Sequence, residues 1–507
     1  MRYVLLWLGI ALSGLMQVRP ATAQEVPVAD AFTPVAAQAQ ETAAWATLPA
    51  ILARIDPPTF PDRDCIVTDF GATPEATITD DRPAIMAALR TCATQGGGRV
   101  VLPPGDYLSN GPIHFEDNID LHLEAGATLR FGTDPDDYTP LVLTSWEGTF
   151  AYNYSPLLYA RDRKNIAITG SGVIDGRTEG AWSLWKRDND GMNQETEGNK
   201  PRLRRMNAEG VPVEQRIFGN GYLDLNGDGI NEGDGRHYYL RPGLVQFLNS
   251  RNVLIEGVTL KNSPFWTTHF VLCENVTVRG TTIRAGTTND DGIDPEGSRF
   301  VLIENNDIHT HDDAIAIKAG RDADGRSRQS SAYIVIRNNR LRSSVGGALS
   351  IGSEMSGGVE WVFMESNVAE DENGHGLYIK SNLDRGGFVR HVYVRDLDVL
   401  TASDGFIVTS DYKGWRGGHF PPEIHDIFLR NVRVWQARAV SLRLLGQPEA
   451  PVRRVFLADV MFRDAGEQPV FRYAEDVLAT GVTVNGHPWV PEMTADGVPE
   501  GIQPPRD

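Results

Sequence analysis

The stretch FVLIENNDI at residues 300–308 alternates apolar and polar side chains, passes two asparagines, and then returns to alternation. Seven other segments follow the same pattern: NVLIEGVTL (252–260), NVTVRGTTI (275–283), YIVIRNNRL (333–341), WVFMESNVA (361–369), HVYVRDLDV (391–399), DIFLRNVRV (426–434) and RVFLADVMF (454–462). Their starts are about 23 to 35 residues apart, a period that indicates a repeat architecture. The alternation predicts β-strands with one face inward, and Asn and Gly suit left-handed bends between strands.

These repeats predict an all-β fold, a right-handed parallel β-helix in which each coil buries its inward residues against the next. A propeller is the alternative, but its blades need roughly 40 residues and four strands each. A solenoid also needs its first open end covered. Residues 79–98 therefore predict an N-terminal capping helix, with Asp80 as N-cap and Pro83 in the first turn. Its predicted apolar stripe consists of Ile85, Ala88, Leu89 and Cys92.

One large domain is predicted between short terminal segments. Arg2, the apolar run over residues 3–15 and the small residues before Gln24 predict a signal peptide over 1–23. The other predicted segments are a partly ordered N-terminal extension, the β-helix and a C-terminal tail, at residues 24–60, 61–490 and 491–507. No later stretch reaches roughly 18 apolar residues, so we expect a soluble monomer that is secreted or periplasmic.

Charge and cysteine content exclude some functions. The net charge of -19 argues against nucleic acid as a partner, and an acidic polysaccharide would need a locally basic site. An oxidising compartment would permit a bridge between Cys65 and Cys92, but three cysteines form no disulfide framework and show no zinc spacing. We favour small buried thiols at Cys65, Cys92 and Cys273.

Two pairs of carboxylates lie about one repeat apart, at Asp290-Asp291 and Asp312-Asp313. Because stacked strands are roughly 4.8 Å apart, these pairs should lie on neighbouring coils and share one site. Crowded acids shift one another's pKa values, so that one holds a proton while another stays ionised. A proton donor beside an ionised base is typical of a glycosidase. The alternatives are Asp-rich turns or a calcium loop.

The repeat is interrupted over residues 176–242 by a polar segment that we call the wall. Loops this long are usually functional or disordered. Aromatic faces stack on sugars and guanidinium groups bind carboxylates, so we predict that the wall stands beside the cleft; the alternative is a solvated insertion. The side chains expected to face the substrate are Trp182, Trp185, Arg202, Arg204 and Arg205.

Within the wall, DLNGDGINEGDG at residues 224–235 resembles the start of a calcium loop. Asp224, Asn226 and Asp228 would supply oxygen ligands to a structural Ca²⁺. The twelfth position is Gly235 where such a loop has Glu, although Glu232 or Asp234 could compensate. The alternative is a turn without a metal.

Longer stretches of the chain resemble glycoside hydrolase family 28, the polygalacturonases. The stretches that carry the resemblance are PTFPDRDCIVTDFGA (58–72), YSPLLYARDRKNIAITGSGVIDG (154–176), RRMNAEGVPVEQR (204–216), LIEGVTLKNSPFWTTHF (254–270) and GLYIKSNLDRGG (376–387). The family motif Asn-Thr-Asp-Gly resembles residues 289–292, and Gly-Asp-Asp before an Ile-Ala-Ile-Lys strand resembles residues 311–318. The resemblance implies that Asp312 is the general acid, that Asp291 and Asp313 activate water, and that the reaction needs no metal or other cofactor.

The resemblance also implies substrate contacts. Lysines at two strand ends would hold substrate carboxylates, and aromatic residues one coil earlier would form a sugar platform. The predicted contact residues are Asn289, Lys318, Lys380, Trp266, His269, His311, Tyr378 and Arg385.

Two positions depart from the family pattern. The segment over residues 346–353 lacks the family's His, which His311 or His375 could replace, and Tyr378 stands where many members have Arg. Loss of that Arg resembles rhamnogalacturonan hydrolases, whereas SIGSEMSGGV (350–359) and RRMNAEGVPVEQR look like bacterial exo-acting polygalacturonases.

The sequence therefore predicts a secreted, inverting hydrolase of galacturonic acid linkages in pectin, acting from a chain end. Inversion predicts carboxyl groups roughly 6.5 to 9.5 Å apart across the bond. A rhamnogalacturonan hydrolase is the first alternative; a pectate lyase or a non-catalytic pectin-binding solenoid is less favoured.

Overall fold

In the computed structural model, residues 32–186, 192–371 and 373–492 are described, except for the side chains of residues 76 and 77. The predicted signal peptide and most of the predicted tail lie outside these ranges. Among the described residues, no helix combines the length and the apolar character that are needed to cross a membrane.

Two parallel sheets make up most of the described chain. The larger has 24 strands: β1 (Asp64–Ile66), β2 (Glu75–Asp80), β3 (Gly98–Leu102), β4 (Gly105–Ser109), β6 (Ile119–Leu123), β7 (Ala127–Phe131), β11 (Lys164–Gly170), β12 (Val173–Asp175), β14 (Arg251–Glu256), β15 (Thr259–Lys261), β17 (Glu274–Arg279), β18 (Thr282–Arg284), β20 (Arg299–Glu304), β21 (Asp307–Thr310), β23 (Ser331–Arg337), β24 (Arg340–Ser343), β26 (Val359–Glu365), β27 (Val368–Asp371), β29 (Phe388–Thr401), β31 (Glu423–Val434), β34 (Val452–Phe462), β37 (Ala474–Thr480), β38 (Thr483–Val484) and β39 (His487–Pro488). The second, the cleft sheet, has 11 strands: β5 (Ile113–His114), β10 (Leu158–Arg161), β13 (Val245–Leu248), β16 (Thr268–Val271), β19 (Ile293–Glu296), β22 (Ile315–Ile317), β25 (Gly347–Gly352), β28 (His375–Lys380), β30 (Asp404–Thr409), β33 (Leu442–Leu445) and β36 (Val470–Arg472).

The remaining described elements are two small sheets and short helices. They are the antiparallel pair β8 (Val142–Trp146) and β9 (Thr149–Asn153), the pair β32 (Ala437–Val440) and β35 (Ala465–Glu467), the α-helices α1 (Pro34–Leu52), α2 (Arg82–Thr94), α3 (Ala181–Leu184), α4 (Lys200–Ala208) and α5 (Asp322–Arg326), and the 3-10 helices Val67–Phe70, Pro135–Tyr138 and Val213–Gln215.

Most coils contribute two strands to the larger sheet and one to the cleft sheet, and in the later coils the two merge into the long strands β29, β31 and β34. This arrangement confirms the predicted parallel β-helix. Strands stack in register, as where Val276 of β17 lies between Val253 and Val301 of its neighbours. Inward positions are aliphatic and fully buried, and burying each such side chain contributes about 1.5–3 kcal/mol. The alternation in the sequence therefore corresponds to the inward and outward faces of real strands.

Asparagine ladders form the bends between strands. Asn118, Asn165, Asn252 and Asn275 all have φ between 52° and 60°, and their side-chain amides hydrogen-bond from one coil to the next at 2.8–2.9 Å. Asn tolerates this left-handed conformation better than most residues do. The predicted role of Asn in the bends is confirmed.

The helix α2 covers the first coil, as predicted. Its stripe of Ile85, Ala88, Leu89 and Cys92 is fully buried. The N-cap position is Asp81, one residue later than predicted, although the Asp80 carboxylate accepts a hydrogen bond from the Arg82 N–H at 3.1 Å. All three cysteines are buried and unbridged, so the favoured prediction of free thiols holds.

The helix α1 falls within the segment that we predicted to be only partly ordered. It packs against outward-facing aromatic side chains on the larger sheet, with Ala44 and Leu48 in one cluster with Phe363, Tyr393 and Phe428. These outward positions are apolar on successive coils, so they need a cover. Order extends to this part of the extension because α1 buries that surface.

Candidate active site

The cleft lies on the outer face of the cleft sheet, where the coil register aligns three carboxylates. Ile293 of β19 pairs with Ile315 of β22, and Asp291 and Asp313 each lie two residues before these partners. Carboxylate oxygens of Asp291, Asp312 and Asp313 all lie within 4.8 Å of one another. The structure thus brings together the acids that the sequence placed one repeat apart, and brings them closer than the predicted 6.5 to 9.5 Å.

Asp313 is the most strongly bound of these carboxylates. It receives hydrogen bonds from the Lys380 ammonium at 2.8 Å, the Gly347 N–H at 2.7 Å and the Ser350 hydroxyl at 2.9 Å. Burial alone would raise the pKa of Asp313, but Lys380 and then Lys318 outweigh it and hold the pKa below its usual value. Asp313 is therefore the ionised member of the cluster.

Asp312 is the member suited to hold a proton. Its Oδ1 accepts one hydrogen bond, from the Asp313 N–H at 3.0 Å. Burial and then the negative charge of Asp313 raise the pKa of Asp312, although the two lysines oppose the shift. Two adjacent residues thus have carboxyl pKa values shifted in opposite directions, raised at Asp312 and lowered at Asp313, which is the pairing that acid and base catalysis needs.

Asp290 fixes the loop that carries Asp312. Its carboxylate accepts hydrogen bonds from the N–H groups of His311 at 3.0 Å and Asp312 at 2.8 Å, and from Thr287 at 2.9 Å. The side chain is fully buried. Asp290 therefore positions the acid, although the sequence suggested only that it belonged to a pair.

A fourth acid, Asp294, belongs to the same cluster of carboxyl groups. The sequence-based prediction missed it. It is fully buried, and neither carboxylate oxygen has a hydrogen-bond partner among the described residues. Burial raises the pKa of Asp294 well above normal, and burial likewise raises the pKa of Asp291, in both cases against the opposing charge of Lys318. Its position, three residues after Asp291 and outward on β19, is the signal that could have identified it.

Lys318 joins the cleft to the wall through a buried ion network. Its ammonium lies 3.1 Å from Asp291 and 3.5 Å from Glu354; Glu354 also pairs with Arg321, which lies 3.1 Å from Glu147. Glu147 lies in the turn between β8 and β9. Its carboxylate forms ion pairs with two wall residues, Lys200 at 3.3 Å and Arg204 at 2.9 Å.

The charges in this network are stabilised as ions. Burial alone would raise the pKa of Glu147, but Lys200, Arg204 and Arg321 together lower it to about 2. Lys318 is also buried against protein carboxylates, and Lys380 against Asp313. In this structure the two lysines pair with Asp291 and Asp313, whereas we predicted that they hold substrate carboxylates.

Asn289 makes a second connection to the wall. Its side-chain oxygen accepts hydrogen bonds from the Gln194 amide and from the Arg241 guanidinium, both at 3.1 Å. Arg241 is fully buried and also donates to the carbonyl of Pro264 at 2.7 Å. Asn289 thus anchors the wall two residues from Asp291, a different role from the predicted substrate contact.

The predicted sugar platform is packed inside the protein. Trp266 is only 4% exposed, stacks on Phe265, and has the Lys318 ammonium 4.6 Å from its ring. His269 is 2% exposed and bonds Glu296 at 2.8 Å and Gln246 at 2.8 Å. These two predictions are corrected: both side chains support the cleft floor, because their polar and aromatic surfaces are already in contact with protein groups.

Arg385 is likewise unavailable to a substrate. Its guanidinium is buried, pairs with Asp322 at 2.7 Å and donates to the Ser353 carbonyl at 3.0 Å. Asp322 lies in α5 and also pairs with Arg416. The predicted substrate contact is therefore corrected to a structural one that fixes α5 against the following coil.

Other predicted contacts lie nearer the surface. The His311 side chain is half-buried, and its Nδ1 has no hydrogen-bond partner among the described residues. Tyr378 is half-buried, with its ring 4.5 Å from the Lys380 ammonium and edge-on to His375. Tyr412, which the sequence did not indicate, adds a second ring 5.8 Å from Lys380. The replacement of the family's missing His by His311 or His375 stays a prediction.

The wall stands beside the cleft, but the side chains named for it do not face sugar. Trp182 and Trp185 are buried against Tyr138, Tyr154 and Tyr239. The arginines are neutralised within the protein: Arg202 stacks on Tyr238 near Asp234, Arg204 pairs with Glu147, and Arg205 pairs with Glu197. The wall needs these groups to hold itself together, because it has no coil register.

The Asp224 turn is organised by its own backbone. The Asp224 carboxylate accepts hydrogen bonds from the N–H groups of Gly227 and Gly229 at 2.7 and 2.9 Å. Oxygens of Asp224, Asp228 and Glu232 lie within 4.8 Å of one another, while Asp234 accepts a hydrogen bond from Tyr238 instead. Calcium ligation by Asp224, Asn226 and Asp228 stays a prediction.

A parallel β-helix whose cleft holds clustered carboxyl groups, one with a raised and one with a lowered pKa, is the arrangement expected of a glycoside hydrolase. The model for "Glycosyl hydrolases family 28" matches residues 192–471, more than half of the chain. The chain belongs to this family, which confirms the resemblance. A second model, described as "Rhamnogalacturonase A/epimerase, pectate lyase-like", matches residues 66–128.

Individual relatives agree with this assignment. The chain is 28% identical to a probable polygalacturonase of Vitis vinifera over 387 residues, which cover 74% of this chain and 69% of that protein. It is 32% identical to an endo-polygalacturonase of Pectobacterium parmentieri over 366 residues, covering 69% and 76%. Among solved structures, a hyperthermoactive exopolygalacturonase from Thermotoga maritima matches with a TM-score of 0.78 and 36% identity, covering 88% of this chain and 96% of that one.

Proposed function

We propose that this protein hydrolyses the glycosidic linkages of galacturonic acid in pectin. The observation that carries the proposal is the meeting of Asp291, Asp312 and Asp313 in the cleft, with carboxylate oxygens within 4.8 Å of one another. The raised pKa of Asp312 and the lowered pKa of Asp313 support it. The polygalacturonase names of several relatives support galacturonan as the substrate.

Asp312 donates its proton to the oxygen of the leaving sugar as the glycosidic bond breaks. Asp313, with Asp291 beside it, takes a proton from the water that attacks the sugar carbon. Lys380 and Lys318 keep Asp313 ionised for this step, and the hydrolysis consumes one water and uses no metal. A divalent cation would have to displace the ammonium groups that already lie 2.8 Å from Asp313 and 3.1 Å from Asp291.

We propose that the reaction inverts the anomeric configuration. Close carboxyl spacing by itself is typical of retaining enzymes, and here the acids are close. However, hydrogen bonds from Lys380, Ser350 and the Gly347 N–H hold the Asp313 carboxylate in place, so it is suited to take a proton from water rather than to move onto the sugar carbon. Proton NMR of freshly formed product should show the inverted anomer; the retained anomer as first product would assign Asp313 or Asp291 as a nucleophile.

We further propose action from a chain end. The wall is fixed beside the acids from two sides, by Asn289 and by the network through Glu147, which supports a cleft closed at one end. The similarity to an exopolygalacturonase at 36% identity supports the same proposal. Closure comes from the packed body of the wall, since the predicted gripping side chains are buried or paired.

The first alternative is a rhamnogalacturonan hydrolase, favoured by Tyr378 in place of the family Arg and by the match of residues 66–128. The test is a product assay on polygalacturonate, rhamnogalacturonan and their oligomers. We expect galacturonic acid from polygalacturonate, without the ultraviolet-absorbing product of a lyase. Cleavage of rhamnogalacturonan alone would reject the proposal in favour of the alternative.

We also propose that the mature protein begins at Gln24, works outside the cytoplasm and is a monomer. The charged and apolar pattern over residues 1–23 supports export. N-terminal sequencing of protein from the culture medium and periplasm, with light scattering for its mass, tests these points.

A further inference from the structure

A large groove lies away from the cleft, on the far side of the turns that follow the cleft sheet. It has a volume of about 1400 Å³ and runs between α1 and the outside of the coils. Its floor includes Asp162, Asn249 and Leu272, which directly follow β10, β13 and β16. Ala46, Thr47 and Ala50 of α1 form the opposite side.

The groove is basic in an acidic protein. Among the described residues that line it are six cations, Arg54, Arg163, Lys164, Arg251, Arg299 and Arg328, and three acids, Asp117, Asp162 and Glu274. The whole chain has a net charge of -19. A local excess of positive charge on such a background creates a favourable potential for an anion only at that place.

The three acids of the groove are already engaged. Glu274 pairs with Arg54 at 3.8 Å, Asp162 pairs with Arg161 at 3.2 Å, and Asp117 accepts a hydrogen bond from the Lys164 N–H at 2.9 Å. Two further cations of the groove pair with acids beside it, Arg163 with Glu116 at 2.9 Å and Arg328 with Glu296 at 2.6 Å.

Three of the cations have no carboxylate partner in the described part of the chain: Lys164, Arg251 and Arg299. Register places them on one column, since Lys164 pairs with Arg251, and Glu274 lies between Arg251 and Arg299. The Nε of Arg299 is buried without a hydrogen-bond partner among the described residues. A buried donor without an acceptor indicates a bound water, ion or ligand that would complete it.

Aromatic rings continue the same groove. Phe300 and Tyr333 stack with ring centres 4.8 Å apart, and Trp361 lies on the next coil. The half-buried Tyr333 and Trp361 leave part of each ring accessible. Three cations on one column, interrupted once by Glu274 and followed by ring surfaces, suit a linear chain of rings that carry carboxylates.

We propose that this groove is a non-catalytic binding site for an acidic saccharide, namely a de-esterified galacturonan segment. The inference rests on the proposed function, which supplies a polymer with many carboxylates. In the cleft, Lys318 and Lys380 are already paired with Asp291 and Asp313, so they are not available to bind the carboxylates of a polymer. A second contact on the same polymer would raise its effective concentration at the enzyme.

The test uses calorimetric titration of the full protein carrying Asp312→Asn, which slows turnover by about 10² to 10⁴, with an oligogalacturonate of defined length. Two binding sites are expected. Adding Lys164→Gln, Arg251→Gln and Arg299→Gln should remove one site, whereas the control set Arg90→Gln, Arg438→Gln and Arg463→Gln should remove none. The control residues are exposed cations outside the groove. A fully methyl-esterified oligomer should not bind the groove.

The same triple substitutions in the active enzyme separate this proposal from the proposed function. Turnover of digalacturonate should be unchanged, while the apparent affinity for polygalacturonate falls about 10-fold at low salt and the difference disappears at high salt. The groove proposal would be overturned if the Asp312→Asn protein bound the oligomer at a single site while digalacturonate turnover by the active enzyme was normal. It would also be overturned if the control substitutions weakened oligomer binding as much as the groove substitutions did. Two-site binding without any hydrolysis would instead reject the proposed function and leave the groove as an acidic-saccharide site.

Discussion

The coils and the wall place their side chains at the cleft by different means. In the coils, strand register aligns Asp291 and Asp313 two residues before the paired Ile293 and Ile315. In the wall, which has no register with the coils over most of its length, position depends on buried ions such as Glu147. The proposed function assigns these two regions different tasks: the coils would supply the chemistry, and the wall would control how a polymer reaches it.

The largest effect on turnover should come from substitution of a coil residue, Asp312. Asp312→Asn removes the proton that the leaving oxygen needs, so we expect turnover of polygalacturonate to fall by about 10² to 10⁴. The unfolding temperature should change little, because among the described residues the Asp312 side chain has one hydrogen-bond partner, the Asp313 N–H. Reducing-end assays and a thermal melt measure the two quantities.

The matched comparison is the same substitution, Asp290→Asn, at a residue one coil earlier that hydrogen-bonds the loop of Asp312. Asp290 accepts hydrogen bonds from two N–H groups around the acid, so this change should lower both turnover and stability. Near-normal turnover of Asp312→Asn would remove Asp312 from the role of acid.

The next largest effect, on product length and stability, should come from a substitution that frees the wall. Glu147→Gln leaves Lys200, Arg204 and Arg321 without their shared carboxylate, and breaking a buried ion pair costs about 3–5 kcal/mol. We expect the wall to loosen, so that longer oligomers appear among the products while digalacturonate turnover changes less than 10-fold. Chromatography of early products and a thermal melt test this expectation.

Arg205→Gln is the control within the wall. Its partner Glu197 is exposed, and exposed pairs contribute about 0–1 kcal/mol. Products and stability should be as in the unmodified protein. If both variants gave the same products as that protein, the ion network would not govern access to the cleft.

Sequence-based prediction succeeded where a pattern repeats. Alternating strands, Asn bends and the spacing of Asp291 from Asp313 are consequences of one coil repeat, so the fold and the acid cluster followed from them. The wall follows no repeat. Its tryptophans and arginines were predicted to meet the substrate because of their chemistry alone, yet Trp182 is fully buried and Arg204 pairs with Glu147. Burial and pairing depend on distant parts of the chain, and residue type does not show them.

The sequence contained a pattern from which the covering helix α1 could have been predicted. Phe363 and Phe428 stand at positions of the repeat where outward residues alternate with inward ones. Apolar residues at such positions on successive coils predict a covering element. The pairing of Lys318 and Lys380 with catalytic acids has no such signal, because both lysines stand at strand ends where a substrate contact fits equally well.

The pH dependence of kcat/KM should report on the coil acids. Activity needs Asp313 ionised and Asp312 protonated. The pKa of Asp313 is lowered and the pKa of Asp312 is raised. Activity should therefore fall at pH values below the pKa of Asp313, where Asp313 is protonated, and at pH values above the pKa of Asp312, where Asp312 is ionised. We expect a bell-shaped profile centred in the acidic range, and Lys380→Met should move its acidic limb to higher pH. An unchanged acidic limb in that variant would contradict the role of Lys380 in keeping Asp313 ionised.

The smallest functional effect should come from α1. Leu48→Ala removes buried apolar contacts on the outside of the coils, at a cost of about 2–3 kcal/mol. Activity at moderate temperature should be unchanged because the helix lies away from the cleft sheet. Val35→Ala on the same helix, at an 80% exposed residue, should change neither quantity. A loss of activity without a loss of stability in Leu48→Ala would show that α1 acts on the cleft.

The division between coils and wall is tested most directly by following viscosity and reducing ends together during hydrolysis of polygalacturonate. If the coil acids act on a chain end that the wall encloses, galacturonic acid or one short product should accumulate from the start while the viscosity stays nearly constant. A steep early fall in viscosity with a mixture of long oligomers would contradict the account, because it would show that the polymer passes through an open cleft.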